Sequence, residues 1–354
     1  MSDRMNISST LDKLFDQFNE IDFIGAMKSL QPSDRVGVLD VTMRRGGLGG
    51  KPIRHVPIIK PFDQKQPTRG KLKALISKID VATLLSPPWN LIPKEVIDRG
   101  LINVSSLTAY VKSVSRQSIE VAFQEMFSGT PPQISYKSTL DVAMKLLTST
   151  YDFDAEGVTK TRRYKTVPVF NEQSSLIGML SYIDVFREIK KREDGHSSFL
   201  KKSSRQLLKE IEQQLEEIQT IGSDRCIFDA IGVFRSVSFT HLPVVTDGLV
   251  TGIIDDVIVY TYEHPAMISA FSSVPLSTLA VPINLAKNVV SLDDPLSVVI
   301  DRFLLNDRPT AVLVGDMKSE KFEMYGIISY LDILRNFKAT FLSGGNNDHA
   351  LKEE

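Results

Sequence analysis

The segments GMLSYIDVF at 178–186 and GIISYLDIL at 326–334 write a Gly, two apolar residues and Ser-x-x-Asp at the same point of an apolar stretch. A junction that recurs with its flanks marks a repeat protein, in which each unit buries its apolar face against its neighbours, and this constrains the fold more than any single motif. Asp184 and Asp332 stand 148 positions apart, so a unit midway places its equivalent residue at 258. That residue is Ile258, six after Gly252, as Asp184 is six after Gly178. The frame persists there while the acid is missing.

Four segments follow one order: an amphipathic helix, a short Val/Pro strand, a turn, a second apolar strand and a helix. The second reads STLDVAMKLLTS, KTVPVF, NEQSS, LIGML and SYIDVFREIKK. The third reads DRCIFDAIGVFRS, THLPVV, TDG, LVTGII and DDVIVYTYEH, and the fourth DPLSVVIDRFLLN, PTAVLV, GDMKSEKFEM, YGII and SYLDILRNFKA. The first is looser, with SDRVGVLDVTMRRGG, RHVPII, KLKALI and SKIDVATLL, and its equivalents are Ala74, Ser77 and Asp80. Apolar residues recurring about one helical turn apart, as Val142 with Leu146 and Leu147, predict the helices, and short Val/Ile runs predict the strands. This is a repeated βαββα-type unit.

Ser followed three residues later by an acid, before an apolar periodic run, is a capping box by itself. The same geometry can serve a ligand, because a helix start that ends a strand presents unpaired N–H groups and a positive dipole end to an anion. Ser can donate to a phosphate oxygen, and an ionised Asp can accept from the two neighbouring hydroxyls of a ribose. Three of the four units carry the motif at one point, which capping alone does not require.

The Val/Pro strand, the Gly-h-h-Ser-x-x-Asp junction and their repetition resemble cystathionine-beta-synthase (CBS) domains, over about residues 20–340. Two such units in tandem resemble a Bateman module, and four resemble the gamma subunit of AMP-activated protein kinase and archaeal four-CBS proteins. The resemblance implies an α/β fold of four CBS repeats in two Bateman modules, each pair leaving two clefts for adenosine-containing ligands. Residues 1–90 form repeat 1 with an N-terminal helix, and 91–195 connector helices and repeat 2, together module 1. Residues 196–268 form a linker helix and repeat 3, and 269–340 repeat 4, together module 2; 341–354 is expected to be a disordered tail.

The family pattern implies that Asp80, Asp184 and Asp332 hold ribose hydroxyls, with Ser77, Ser181 and Ser329 near phosphate. The third unit departs, with Asp255 for Ser and Ile258 for Asp. Basic partners precede the Val/Pro strand in this family, and the matching positions are Arg54, His55, Lys165, His241 and Arg308. Val167, Pro168 and Ile177 are either part of the apolar adenine side of a cleft or ordinary core, and core is the preferred reading. The insertion YDFDAEGVTKTRRY, with Arg162 and Arg163, is either a loop over a nucleotide or a plain surface loop.

Other signals lead elsewhere. RRGGLGG at 44–50 follows a helix and precedes a strand, the reverse of a dinucleotide fingerprint. Cys226 and the dispersed His55, His196, His241, His264 and His349 lack metal-ligand or nucleophile spacing, so neither a metal nor a catalytic cofactor is expected. Trp89 reads as a packing anchor, and the helix near 205–220 as a solvated connector.

The net charge is −1, from 42 basic and 43 acidic residues, so nothing draws the whole surface to nucleic acid or anionic membrane. One cysteine allows no internal disulfide and fits a reducing compartment. The polar start lacks a secretory pattern, and no apolar run approaches the ~18 residues a membrane helix needs, so a cytoplasmic protein is expected.

The resemblance implies a regulatory energy-sensing protein that binds AMP, ADP or ATP, with Mg compatible with ATP, and that acts on a protein partner rather than as an enzyme. The alternatives are a scaffold with degenerate clefts and an S-adenosylmethionine sensor. Four units in one chain can complete a disc as a monomer, and a homodimer is equally compatible.

Overall fold

The computed structural model describes residues 30–45, 55–77, 80–81, 84, 104–155, 158–191, 197–211, 218–236, 241–255, 258, 274–305, 311–318 and 321–343. They fall into two compact units, one within Met1–Ser181 and Asp256–Val274, the other within Tyr182–Asp255 and Pro275–Glu354.

The first unit contains α1 (Val36–Arg45), β1 (His55–Pro61), β2 (Gly70–Ser77), α2 (Val104–Arg116), α3 (Ile119–Ala122), α4 (Gln124–Ser128), β3 (Ile134–Ser135), α5 (Leu140–Thr148), β4 (Tyr151–Ala155), β5 (Val158–Arg162), β6 (Thr166–Phe170) and β7 (Leu176–Ser181). Strands β1 and β2 pair antiparallel, as do β6 and β7. Short β3 adds in parallel to β6, and Leu30 bridges Ile58 in the equivalent parallel place. Thr139 caps α5 by accepting from the Val142 N–H, and Leu140, Ala143, Met144 and Leu147 form its buried stripe.

The two repeats meet at their strand ends. Gly70 N–H donates to Ser174 O at 3.1 Å, and Leu176 N–H to Thr68 O at 2.9 Å, a reciprocal pair that joins the two turns. Beneath it Ile59 and Leu72 of the first repeat pack with Phe170 and Leu176 of the second. Gly70 is needed there, since a Cβ would sit 2.3 Å from Lys60 O.

The insertion at 151–164 is a hairpin: β4 and β5 pair antiparallel from Tyr151↔Arg162 to Ala155↔Val158. The expected loop is therefore a pair of strands. Its alternation of Tyr, Phe and Ala with Asp on one arm is the period-2 signal of a strand.

The second unit contains α6 (Tyr182–Lys191), α7 (Ser197–Lys201), α8 (Ser204–Glu210), β8 (Ile221–Gly222), α9 (Ile227–Ser236), β9 (His241–Thr246), β10 (Leu249–Asp255), α10 (Leu276–Leu279), β11 (Val281–Pro282), β12 (Val289–Val290), α11 (Leu296–Leu304), β13 (Ala311–Lys318), β14 (Lys321–Ser329) and α12 (Tyr330–Ser343). Its sheets run β11-β10-β9-β8 and β12-β13-β14, with β8 and β12 parallel to their neighbours and the long pairs antiparallel. Val250, Ile253, Val289, Leu313, Phe322 and Met324 form a core shared by the third and fourth repeats.

The start of the expected solvated connector is anchored. Ser203 closes a capping box with Gln206, Ser204 N–H and Oγ–H both donate to Asp294 O, and Leu207 and Leu208 are buried. Among the described residues no helix is long and apolar enough to cross a membrane.

Candidate functional site: four strand-to-helix junctions

Register aligns the four repeats. Ser77 lies opposite His55, Ser181 opposite Thr166, Asp255 opposite His241 and Ser329 opposite Ala311. Each antiparallel pair also carries one bulge, at Ile58/Ile59, Val169/Phe170, Val250/Gly252 and Val314/Gly315. The looser first repeat therefore has the same frame as the others, with Ser77 where Ser181 and Ser329 stand. In the third, Asp255 holds that place.

Two junctions share three Ser–Asp hydrogen bonds that agree to a tenth of an ångström. At Ser77 the backbone N–H and Oγ–H donate to Asp80 Oδ2 at 2.8 and 2.7 Å, and Asp80 N–H returns to Ser77 Oγ at 3.4 Å. At Ser329 the three distances to Asp332 are 2.8, 2.7 and 3.4 Å. This is a reciprocal cap in which one carboxylate oxygen takes two donors. Asp332 Oδ1 takes no hydrogen bond among the described residues, so at this half-buried acid one oxygen stays available as an acceptor. The serine hydroxyl proton is turned to its own aspartate, and the same Oγ accepts the aspartate N–H.

Asp184 sits in the first turn of α6 and is buried. Its Oδ1 meets Arg187 Nη1 at 3.2 Å, one turn along.

The predicted basic residues separate into two sets. His55, Lys165 and His241 are described, and all three are buried, which is unusual for a lysine and points to a structured environment. Arg54 and Arg308 lie outside the described residues. The register also shows that Lys165 occupies the place of Arg54, one before the strand, whereas Thr166 occupies the place of His55 and His241. Sequence reasoning missed Thr166, whose Oγ1 is buried without a hydrogen-bond partner. The signal was available: His55, Thr166 and His241 each stand two residues before the strand proline.

Tyr164, at the base of the hairpin, was also missed. It is 2% exposed and packs with Leu75, Tyr151 and Met179. Its ring meets Tyr151 edge-on at 5.4 Å and lies 6.4 Å from the His55 ring. Tyr151 donates its hydroxyl to Leu146 O at 3.0 Å, and burial pushes its phenol up to about 12.

Four repeats built on an antiparallel strand pair in one shared register, two of them ending in the same reciprocal Ser–Asp helix cap, make this a tandem CBS-repeat fold. No family model and no curated protein matches the sequence. Among solved structures, a protein of Methanocaldococcus jannaschii proposed as an archaeal homologue of g-AMPK is 14% identical, with 88% of this chain and 96% of that one covered and a TM-score of 0.57. An uncharacterised conserved protein of Pyrococcus horikoshii is 14% identical over 80% of this chain and 90% of that one, with a TM-score of 0.44. CBSX2, solved in complex with AMP, is 17% identical over 40% of this chain and 98% of its own, with a TM-score of 0.31.

Proposed function

We propose that this chain is a regulatory adenine-nucleotide sensor that carries ligand occupancy to a protein partner in the cytoplasm and has no catalytic activity of its own. The observation that carries the reading is Asp332: Ser329 fixes its Oδ2, and Oδ1 is left as an oriented acceptor at the start of a 14-residue helix. A carboxylate held by one oxygen and open at the other suits a vicinal diol, because it costs little reorganisation on binding. The adjoining helix start favours the phosphate side of the same ligand.

Asp184 is proposed in the same ribose role, and Asp80 wherever its junction is open to a nucleoside, with Ser77, Ser181 and Ser329 and the basic residues Arg54, His55, Lys165, His241 and Arg308 on the phosphate side. Thr166 joins that set. The fold shared with the proposed g-AMPK homologue supports the regulatory reading. Magnesium would enter with ATP, on the phosphates.

Calorimetric titration of the nucleotide-stripped protein with AMP, ADP, ATP and S-adenosylmethionine tests this, repeated on Asp184→Ala and Asp332→Ala. Micromolar binding weakened about tenfold or more in a folded variant is expected, from the ~1.5–3 kcal/mol of a charge-assisted hydrogen bond. Tighter binding of S-adenosylmethionine than of any nucleotide would reassign the ligand. Absence of heat and of thermal shift for all four would leave the junctions as helix caps and the chain as a scaffold.

A further inference from the structure

Resting on the nucleotide reading of the junctions, we propose that Tyr164 decides which of them admit a nucleoside, by filling the apolar floor beside Ser77 and Asp80 so that this junction is closed to a base. In a strand the residue two before another shares its face. Leu75 therefore lies on the face of Ser77, and Met179 on the face of Ser181. Tyr164 packs with both, which puts its ring on the side of the sheets that the two serines line.

The ring cannot serve as a platform for a base instead. Stacking needs a free aromatic face. Tyr164 is 2% exposed, with Leu75, Met179, the edge of Tyr151 and the tilted His55 ring around it. The hairpin that delivers it is tied down on its other strand by the Tyr151 hydroxyl on Leu146 O.

The second unit has no such insertion. Eighteen positions separate Thr148 from Thr166, whereas Ser236 and Leu304 lie five and seven before His241 and Ala311. Ile253 and Ile327 hold the places of Leu75 and Met179 there, aliphatic side chains that join the core of that unit. Among the described residues no aromatic ring on an inserted hairpin covers that place beside Asp332, and the hairpin makes the two modules unequal.

The test is the stoichiometry of AMP and of ATP binding by calorimetry on the full chain, for the wild type, Tyr164→Ala, Tyr164→Val and Tyr164→Phe. Tyr164→Ala is expected to gain one site, and Asp80→Ala in that background to remove it again. Tyr164→Phe, which keeps the ring, is expected to keep the wild-type stoichiometry and affinity. Tyr164→Val leaves less of a cavity and covers the case in which the alanine variant fails to fold.

Unchanged stoichiometry in a folded Ala or Val variant overturns the proposal, as does weaker binding by Tyr164→Phe. A wild type that binds nothing while Tyr164→Ala binds through Asp80 would remove the sensor reading of Asp332 and keep the occlusion. Binding by neither would overturn both.

Discussion

The Tyr182 ring lies on the Tyr330 ring, with centroids 4.6 Å apart and planes 27° from parallel. Each tyrosine is the residue after a junction serine, so the helix starts that carry Asp184 and Asp332 meet through the stack. Phe186 and Phe303 close it edge-on, with Tyr182 at 5.7 and 6.3 Å from their centroids. Offset stacks and edge contacts of this kind add specific geometry to plain burial.

A double-mutant cycle measures that coupling. Tyr182→Leu and Tyr330→Leu each remove a nearly buried ring and should cost about 1–3 kcal/mol in urea unfolding. The pair should cost less than the sum by about 0.5–1.5 kcal/mol. Strict additivity would show that the stack contributes nothing beyond area.

Asp332→Ala and Ser329→Ala separate capping from recognition. Both break the reciprocal cap and should lower stability by about 0.5–2 kcal/mol. Only the aspartate variant removes the open Oδ1, so nucleotide affinity should fall about tenfold more for Asp332→Ala than for Ser329→Ala. Equal losses in titration would reduce the acid to a cap.

The repeat frame is legible in the sequence because the junction keeps its residue types where the backbone turns from strand to helix. Even the first copy, with Ala74 for Gly, holds its spacing, and the Ser77↔His55 register bears it out. The acid and serine positions follow from that frame. Features that depend on distant partners do not: α8 looks charged along the chain, yet Ser204 reaches the Asp294 carbonyl 90 residues away. Tyr164 is likewise unremarkable in sequence, since Leu75 and Met179 cover it from other strands. The equivalence of Thr166 with His55 and His241 is readable from the proline spacing, and Lys165 then aligns with Arg54.

Cys226 should be a slow thiol. Burial pushes its pKa up, and the Asp229 carboxylate, whose Oδ2 lies 3.6 Å from Sγ, acts in the same direction against two backbone hydrogen bonds. A raised folded pKa favours the thiol, so its contribution to stability is full below the unfolded value of roughly 8.5 and is lost as pH rises through the folded one. Iodoacetamide labelling at pH 8 should be several-fold slower for the native chain than for the chain in urea. Equal rates at that pH would refute the shift.

Two glycines should respond in opposite directions to the same substitution. Gly315 stands at the bulge of β13, where a Cβ would lie 2.4 Å from Glu323 O and 2.5 Å from the Phe322 ring, and backbone on the neighbouring strand cannot move aside without breaking the ladder. Gly315→Ala should therefore destabilise by about 1–3 kcal/mol, as overpacking does. Gly232 lies exposed in the middle of α9, and a Cβ there meets nothing within 4 Å. Gly232→Ala should stabilise by about 0.5–1 kcal/mol, because alanine loses less backbone freedom on entering a helix. Thermal melts of the two variants beside the wild type decide both at once: a lower midpoint for the first and a higher one for the second are expected. A tolerated alanine at 315 would mean that the bulge opens between β13 and β14, and with it the register that sets Ser329 opposite Ala311.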